Sequence, residues 1–179
     1  LRRPVPSRLP GELPDLPSAE AQGFRLPDLP VSIDIDAVEI ERAVLGEPLF
    51  GQAAELRLSG SANLSGGEGT ADLDLVRIDG TEGELSLSGA FANDTRDLRL
   101  DLAVTEAADG IAATLLGLPG RPPLSLSIVG DGTLDDFAAD IALDTDGQDR
   151  LSGEVTLSTA EESGARDFAA RLDGDLRPL

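Results

Sequence analysis

The sequence contains no cysteine, histidine or lysine, and these absences exclude most of the chemistry that enzymes place on side chains. Thiol nucleophiles, Ser-His-Asp triads, lysine Schiff bases and metal sites ligated by histidine or cysteine all need one of the missing residues. The lack of cysteine also rules out a disulfide framework, although it does not identify a compartment. We therefore expect a non-enzymatic protein without a metal site or a cofactor.

Large aromatic residues are nearly absent as well. The chain has no tryptophan or tyrosine, no methionine and only 5 phenylalanines, so a hydrophobic core has to be built from leucine, isoleucine, valine and alanine. No run of 18 apolar residues occurs, and the sequence therefore predicts no membrane-spanning helix. The chain begins at Leu1, without an initiator methionine or a signal sequence, which suggests an internal piece of a larger bacterial envelope protein.

Positive charge is scarce, and this constrains the possible partners. The 34 acidic residues outnumber 14 basic residues, all of them arginine, and the net charge is -20. Such a charge opposes binding to nucleic acid or to an anionic lipid surface. If a lipid is the ligand, its acyl chains must provide the contact.

Residues 1–30 hold most of the prolines in a loose Leu-Pro repetition that ends with Leu26-Pro27 and Leu29-Pro30. Proline fixes φ and removes a backbone donor, so this segment is predicted to be an extended linker. Two PxxP matches, Pro14 to Pro17 and Pro27 to Pro30, could instead recruit an SH3-like domain. The linker interpretation is favoured, because such matches arise by chance in any proline-rich stretch.

From residue 31 to residue 179 apolar and polar residues alternate with a period of two, which predicts about nine strands with one apolar and one polar face. The pattern slips near Ala37, where we expect a β-bulge, and again between Leu75 and Val76. Turn signals separate the strands, among them Asp131-Gly132 and Asp146-Gly147. Short antiparallel connections follow from these turns.

One segment, near residues 109–117, has a helical pattern instead. Ile111, Leu115 and Leu118 fall on one helical face, Asp109 is a candidate N-cap, and Gly117 lies near the C-terminus. This predicts one short amphipathic helix. It could cover the end of the sheet or plug a binding cavity, and the first interpretation is favoured.

Two patterns in the sequence resemble functional sites, but each has a simpler structural explanation. The string Asp144, Asp146, Gly147 and Asp149 resembles a calcium-binding loop, but the glycine is misplaced and the twelfth position is Val155 rather than glutamate, which favours a hairpin turn. A pair of carboxylates could also hydrolyse a glycosidic bond. Acidic residues are so abundant here that the polar face of the strands explains them.

The apolar face of such a sheet needs a covering. Nine strands about 4.8 Å apart and about 17 Å long present roughly 700 Å² of apolar surface, whereas soluble monomers seldom expose more than a few hundred Å². The sheet could close into a barrel, split into a sandwich, or curl into a trough that holds an apolar ligand. The leucine-rich face with few aromatics favours the trough, because a sandwich core usually mixes in large aromatics.

Two strings of residues resemble a known family. Leu29-Pro30-Val31-Ser32-Ile33-Asp34-Ile35, followed by Leu45-Gly46-Glu47-Pro48, is similar to the middle of TamB family proteins, the AsmA-like translocation and assembly module proteins of Gram-negative bacteria, in their alphaproteobacterial form. The more specific string is Leu115-Leu116-Gly117-Leu118-Pro119-Gly120-Arg121-Pro122, followed by Gly130-Asp131-Gly132-Thr133-Leu134-Asp135-Asp136-Phe137. The similarity covers residues 25 to 158.

The resemblance implies a mainly β fold: a curled antiparallel sheet that forms a β-taco or trough with a hydrophobic interior, with one short α-helix. It implies a parent protein that is anchored in the inner membrane and crosses the periplasm. It further implies that phospholipid passes toward the outer membrane through the trough. Support of outer-membrane protein assembly, with the barrel partner TamA, is implied for the parent protein.

The leading hypothesis is therefore a segment of a lipid-conducting β-groove, with phospholipid acyl chains as its ligand. Fourteen alternating residues are its predicted lining: Leu56, Leu58, Leu73, Leu75, Leu85, Leu87, Leu98, Leu100, Leu102, Leu124, Leu126, Ile128, Ile141 and Leu143. The alternative is a purely structural β-sandwich or solenoid module that spaces other domains of an envelope protein or adhesin.

Overall fold

The computed structural model describes residues 25–159 and 166–174. The predicted linker up to residue 24, together with residues 160–165 and 175–179 of the predicted sheet, lies outside the described residues. The elements are β1 (Ile33–Leu45), α1 (Glu47–Phe50), β2 (Ala54–Ser65), β3 (Glu68–Arg77), β4 (Gly83–Ala92), β5 (Asp97–Glu106), α2 (Ile111–Leu115), β6 (Leu124–Thr133), β7 (Asp136–Thr145), β8 (Gln148–Thr159) and β9 (Arg166–Gly174).

The nine strands form one antiparallel sheet in which spatial order follows sequence order, from β1 to β9. Each strand pairs with its neighbours along the chain. Most connections are short turns, whereas the connection from β1 to β2 contains α1 and the connection from β5 to β6 contains α2. Within the described residues β1 does not pair with β9, so the curled sheet is not closed. The predicted mainly β, curled antiparallel sheet with a short helix is confirmed.

Strand β1 follows the predicted phase shift. Its pairing with β2 is interrupted between Ile35 and Val38, where the bulge near Ala37 was expected, and a second time between Ile40 and Ala43. Each bulge adds residues on β1 without moving its apolar side chains to the other face. The apolar residues of β1 consequently stay opposite those of β2.

The slip that the sequence suggested between Leu75 and Val76 does not occur. Strand β3 keeps its phase to its end at Arg77, and Val76 pairs with Glu84 while Leu75 pairs with Leu85. Val76 therefore lies on the outer face with the acidic residues. The residue that lies on the apolar face at this point is Arg77.

Two of the predicted turns have different outcomes. Asp146 and Gly147 connect β7 to β8 and have φ values of 54° and 70°, the positive φ pair that a type I′ turn requires. The prediction of a turn at Asp131-Gly132 is wrong, because both residues lie within β6 and the hairpin loop consists of Leu134 and Asp135. Gly132 is needed there for the close approach of the Asp136 backbone carbonyl.

The helix predicted near residues 109–117 is α2, and it ends as the sequence suggested. Gly117 has a φ of 66°, and the N–H of Leu118 donates to the carbonyl of Ala113 at 3.0 Å. This is a Schellman motif. The buried residue of the helix is Ala113, with none of its surface exposed, whereas Leu115 is 63% exposed. Leu115 lines the same cavity as Ile111, as a shared helical face predicts, although most of its surface stays exposed.

The start of α2 differs from the prediction. Asp109 does not cap the helix and pairs instead with Arg121 at 2.9 Å. The cap comes from the sheet: the carboxylate of Glu106 accepts hydrogen bonds from the backbone N–H groups of Ile111 at 3.0 Å and Ala112 at 2.6 Å. Glu106 thus fastens α2 to the end of β5, and satisfies two donors that a helix start leaves unpaired.

A second short helix, α1, was not predicted. Pro48 lies in its first turn and Gly51 ends it with a φ of 76°. A Cβ atom at Gly51 would lie 3.5 Å from Cγ2 of Thr114, so the end of α1 rests against α2. The single turn of α1 gives too few positions for a helical period to be visible in the sequence.

The described part of the chain has no large side chain that is fully buried. Its core is a small cluster beneath α2, made of Val104, Ala113, Leu124 and Leu143. Outside this cluster Ala54, Phe91 and Ala139 are also buried. Most other apolar side chains of the sheet keep part of their surface exposed.

Candidate functional site

The fourteen predicted lining residues all lie on one face of the sheet. The cross-strand register aligns them in rows that run across the strands. The upper leucine row, nearer to α2, contains Leu58, Leu75, Leu85, Val104, Leu126, Leu143 and Leu151. The lower leucine row contains Leu73, Leu87, Leu102, Ile128 and Ile141. Direct cross-strand neighbours have Cβ atoms about 5 Å apart, so each row is a continuous apolar strip.

Exposure separates these residues into two groups. Leu124 and Leu143 are only 3% and 7% exposed, because α2 covers them. The other twelve are half-buried, and three of them, Leu85, Leu102 and Leu126, pack against the buried cluster beneath α2. The open part of the face therefore lies beyond α2, along the two leucine rows.

The next row is made of small residues around one leucine: Ala62, Ala71, Gly89, Leu100, Gly130 and Ala139. Glycine and alanine leave little side-chain volume above the backbone. This row lies between the lower leucine row and the row of Phe91 and Phe137. The ring of Phe137 lies over Gly130, where a Cβ would come within 2.6 Å of Phe137 Cζ.

The end of this face opposite α2 is covered in part by the linker. Leu26 donates its N–H to Oδ1 of Asn93 at 2.8 Å, and its carbonyl accepts a hydrogen bond from Nδ2 of Asn93 at 2.9 Å. Its side chain lies directly over Gly69, where a Cβ would come within 2.8 Å of Leu26 Cδ1. The last part of the predicted linker is thus attached to the sheet.

We expect Asn93→Ala to release this segment. The two hydrogen bonds contribute about 0.5–1.5 kcal/mol each, so trypsin should cleave after Arg25 on the order of tenfold faster in the variant. The exposed turn residue Asp94 provides the control, and Asp94→Ala should leave the cleavage rate unchanged. An equal rate in Asn93→Ala and the wild type would show that Asn93 does not hold the linker.

The α2 end of the face contains a cavity of about 300 Å³ between the helix and the sheet. Apolar residues supply most of its wall, including Leu56, Leu75 and Leu85 from the sheet and Ile111 and Leu115 from the helix side. Its charged residues include Arg77 and Glu106, which lie in one cross-strand row on either side of Gly83. From β2 to β7, Arg77 and Glu106 are the two ionisable residues that the cross-strand pairing places on the apolar face.

Arg77 is anchored by the Asp79 carboxylate, which lies 2.8 and 3.0 Å from its Nε atom. Burial opposes ionisation of Asp79, but hydrogen bonds from Arg77 and from the backbone N–H groups of Thr81 and Glu55, with the positive charge of Arg77, outweigh that effect and lower the pKa of Asp79. The carboxylate therefore stays ionised at neutral pH. It holds the guanidinium at Nε, while Nη1 has no hydrogen-bond partner in the protein.

The acidic string that resembles a calcium loop forms the β7–β8 hairpin, as predicted. A hydrogen bond with Asp149, together with partial desolvation and the negative charge of that neighbour, raises the pKa of Asp144. In residues 25–159 and 166–174, no group of three or more histidine, cysteine, aspartate or glutamate side chains is arranged to hold a metal ion.

Sequence reasoning missed Arg77 and Glu106 as residues of the apolar face. The signal was present in the period: counting every second residue from Leu73 through Leu75 reaches Arg77, and counting from Leu102 through Val104 reaches Glu106. The neighbouring apolar residues Val76 and Ile78 masked it at Arg77, because they suggested a change of phase. At Glu106 the charged side chain ends the apolar run of β5, which hides its place in the same period.

Comparison with known proteins gives no relative. No family model, no curated protein and no solved structure matches this chain. Over the part that the structure describes, no helix has the length and apolar character to cross a membrane. These comparisons therefore assign no family and no function to the chain.

Proposed function

We propose that this chain is a segment of a periplasmic hydrophobic β-groove that carries phospholipid between the inner and outer membranes. In this proposal the acyl chains lie along the leucine rows and the acidic outer face points to water. The parent protein is anchored in the inner membrane, and it supports outer-membrane protein assembly together with the barrel partner TamA. The resemblance to the TamB family supplies these last roles.

One observation carries the proposal: a continuous apolar face spans the nine strands, and no large side chain of the described residues is fully buried against it. A sandwich or barrel would seal this face with its own side chains. Exposed apolar residues extend to both edges of the sheet, including Ile35 at 40% and Ile40 at 41% on β1, and Phe168 at 71% on β9. Such a surface marks an interaction site for an apolar partner.

The dimensions suit lipid tails. Nine strands about 4.8 Å apart make a strip roughly 38 Å long in the direction of the rows. One leaflet of a bilayer has a hydrocarbon depth of about 15 Å, half of the usual 30 Å. An extended acyl chain therefore fits lengthwise on a row, with room to move along it. Leucine and isoleucine provide contact area without the directional bonds that would hold one lipid in place.

Photo-crosslinking tests this assignment in the cell envelope. A crosslinking amino acid at Leu100 or Leu126, on the apolar face, is expected to capture phospholipid. The matched positions Arg99 and Ser125 are the preceding residues of the same strands, both exposed on the outer face, and they should capture little. Equal capture from the two faces would contradict a lipid-carrying groove.

A further inference from the structure

Arg77 is a buried cation with an unused donor. Its side chain is only 7% exposed, and its Nε atom pairs with Asp79 at 2.8 Å. Nη1 is also buried and has no hydrogen-bond partner in the protein. A buried donor without an acceptor costs about 1–3 kcal/mol and more when it is charged. The protein therefore carries a cost at this position that a ligand with an anionic acceptor would remove.

The surrounding residues hold Arg77 in place without using this donor. Gly83, its cross-strand neighbour, lacks a side chain, and a Cβ there would lie 3.4 Å from Arg77 Cβ and 3.5 Å from Cδ. The aliphatic stem of Arg77 therefore lies across Gly83, next to the apolar cavity wall. Glu106, on the far side of Gly83, could have been a second partner, but its two oxygens bind the N–H groups at the start of α2.

From β2 to β7, Arg77 and Glu106 are the charged residues on this face. The upper leucine row is adjacent to the row of Arg77, and Leu75 and Leu85 are its members beside Arg77. Arg77 lines the cavity of about 300 Å³ together with Leu75 and Leu85 of that row. A polar anchor beside an apolar strip matches an amphiphile with one anionic group at its end. Arginine is suited to phosphate and carboxylate oxygens, because its donors form a planar fork.

We propose that Arg77 binds the anionic head group of a lipid, phosphate or carboxylate, while the acyl chain of that lipid enters the cavity beneath α2 and follows the upper leucine row. This inference deepens the proposed function and rests on it, because it assumes that the groove holds acyl chains. The contact between Arg77 and the head group fixes the position of the lipid on a face whose leucine side chains make no directional contacts. The lipid is held at the α2 end by its head group.

Ligands that share one tail and differ in their head group test this assignment. The full 179-residue chain is loaded with the neutral fluorescent probe N-phenyl-1-naphthylamine, and dodecyl phosphate, dodecanoate and dodecan-1-ol compete for the groove. We expect the wild type to bind dodecyl phosphate and dodecanoate about tenfold more tightly than the alcohol, the ratio that one charged hydrogen bond supports. Inorganic phosphate alone, which has no tail, should not displace the probe.

Variants separate the head group from the tail. Arg77→Met should bind all three dodecyl ligands with the affinity of the alcohol, and Arg77→Lys should keep part of the preference for anions, because it retains charge but not the fork. Arg57→Met is the matched control, since Arg57 is an exposed arginine on the outer face of β2. It should leave the preference intact.

The outcomes are distinct. If the wild type binds the anionic ligands and the alcohol equally and the probe is still displaced, Arg77 does not bind a head group. Its free donor is then assigned to water, and the proposal of an apolar groove is unaffected. Displacement by inorganic phosphate alone would overturn a lipid head group in favour of a free anion. No binding of the probe or of any dodecyl ligand would contradict the proposed function itself.

Discussion

Val104→Asp is expected to destabilise the protein by about 3–5 kcal/mol, because it places an unpaired carboxylate in the only dry cluster of the described chain. Val104 is 8% exposed and packs with Ala113, Leu124 and Leu143, which are 0%, 3% and 7% exposed. None of these neighbours can donate a hydrogen bond from its side chain. Such a loss is a large part of the 5–15 kcal/mol that stabilises an ordinary domain.

Leu100→Asp should cost much less, below about 2 kcal/mol, although the residue lies on the same strand and the same face. Leu100 is half-buried, and its neighbours in the row are Gly89 and Gly130, so water can reach a carboxylate at this position. The charge should nevertheless interrupt the path of acyl chains. We therefore expect lipid capture by a crosslinker at Leu126 to fall sharply in this variant.

Urea unfolding followed by circular dichroism compares the two variants, with Val104→Ala and Leu100→Ala as controls for lost volume. A loss of more than 3 kcal/mol in both aspartate variants would mean that the whole face is a sealed core. That result would favour the alternative function, a structural spacer module, over the lipid groove. Unequal losses with reduced lipid capture in Leu100→Asp would favour the groove.

The fold could be predicted to this extent because alternation at period two is a local signal that repeats along the chain. Runs such as Leu98, Leu100 and Leu102 fix both the strand and the face, and hairpin connections then leave one sheet order. The period could not decide whether the face closes on itself. Closure depends on how strongly the sheet curls and on whether the edge strands β1 and β9 meet. A pattern local to each strand does not determine either of these.

The details that escaped prediction depend on contacts between different elements of the fold or on very short elements. Glu106 caps α2 from a neighbouring strand, so no capping residue is visible in the helix sequence itself. Ala113 is buried because it faces Val104 and Leu124, and an alanine gives little hydrophobic signal. The attachment of Leu26 depends on a turn 67 residues later in the chain, at Asn93.

The sequence predicts the apolar face of the candidate site, but it does not predict the charged residues on that face. The leucine rows follow from the period, and all fourteen predicted lining residues lie on one face. The phase slip predicted between Leu75 and Val76 would place Val76 and Ile78 on the apolar face and Arg77 on the polar face. In the structure β3 ends at Arg77, and Ile78 donates its N–H to Glu55 in the connection that follows.

Curling of the sheet brings side chains on its concave face together, and the glycines of the small-residue row relieve that crowding unequally. At Gly130 a Cβ would lie 2.6 Å from Phe137 Cζ and 2.8 Å from Ala139 Cβ, and 2.9 Å from the backbone carbonyl oxygen of Ala138. At Gly89 the nearest atom to a Cβ would be the carbonyl oxygen of Arg99, at an ordinary 3.8 Å. One added methyl group therefore has different consequences at two positions of one row.

Gly130→Ala is expected to destabilise the protein by about 1–3 kcal/mol, because the Ala138 carbonyl belongs to the paired backbone and strands β6 and β7 must separate to admit the methyl group. Gly89→Ala should change stability by no more than about 0.5 kcal/mol, or increase it slightly by restricting the unfolded chain. Urea midpoints of the two variants provide the comparison. Similar losses at both positions would show that the close contact between β6 and β7 has no special effect at Gly130, whereas a loss confined to Gly130 would show that the two strands approach too closely there to admit a side chain.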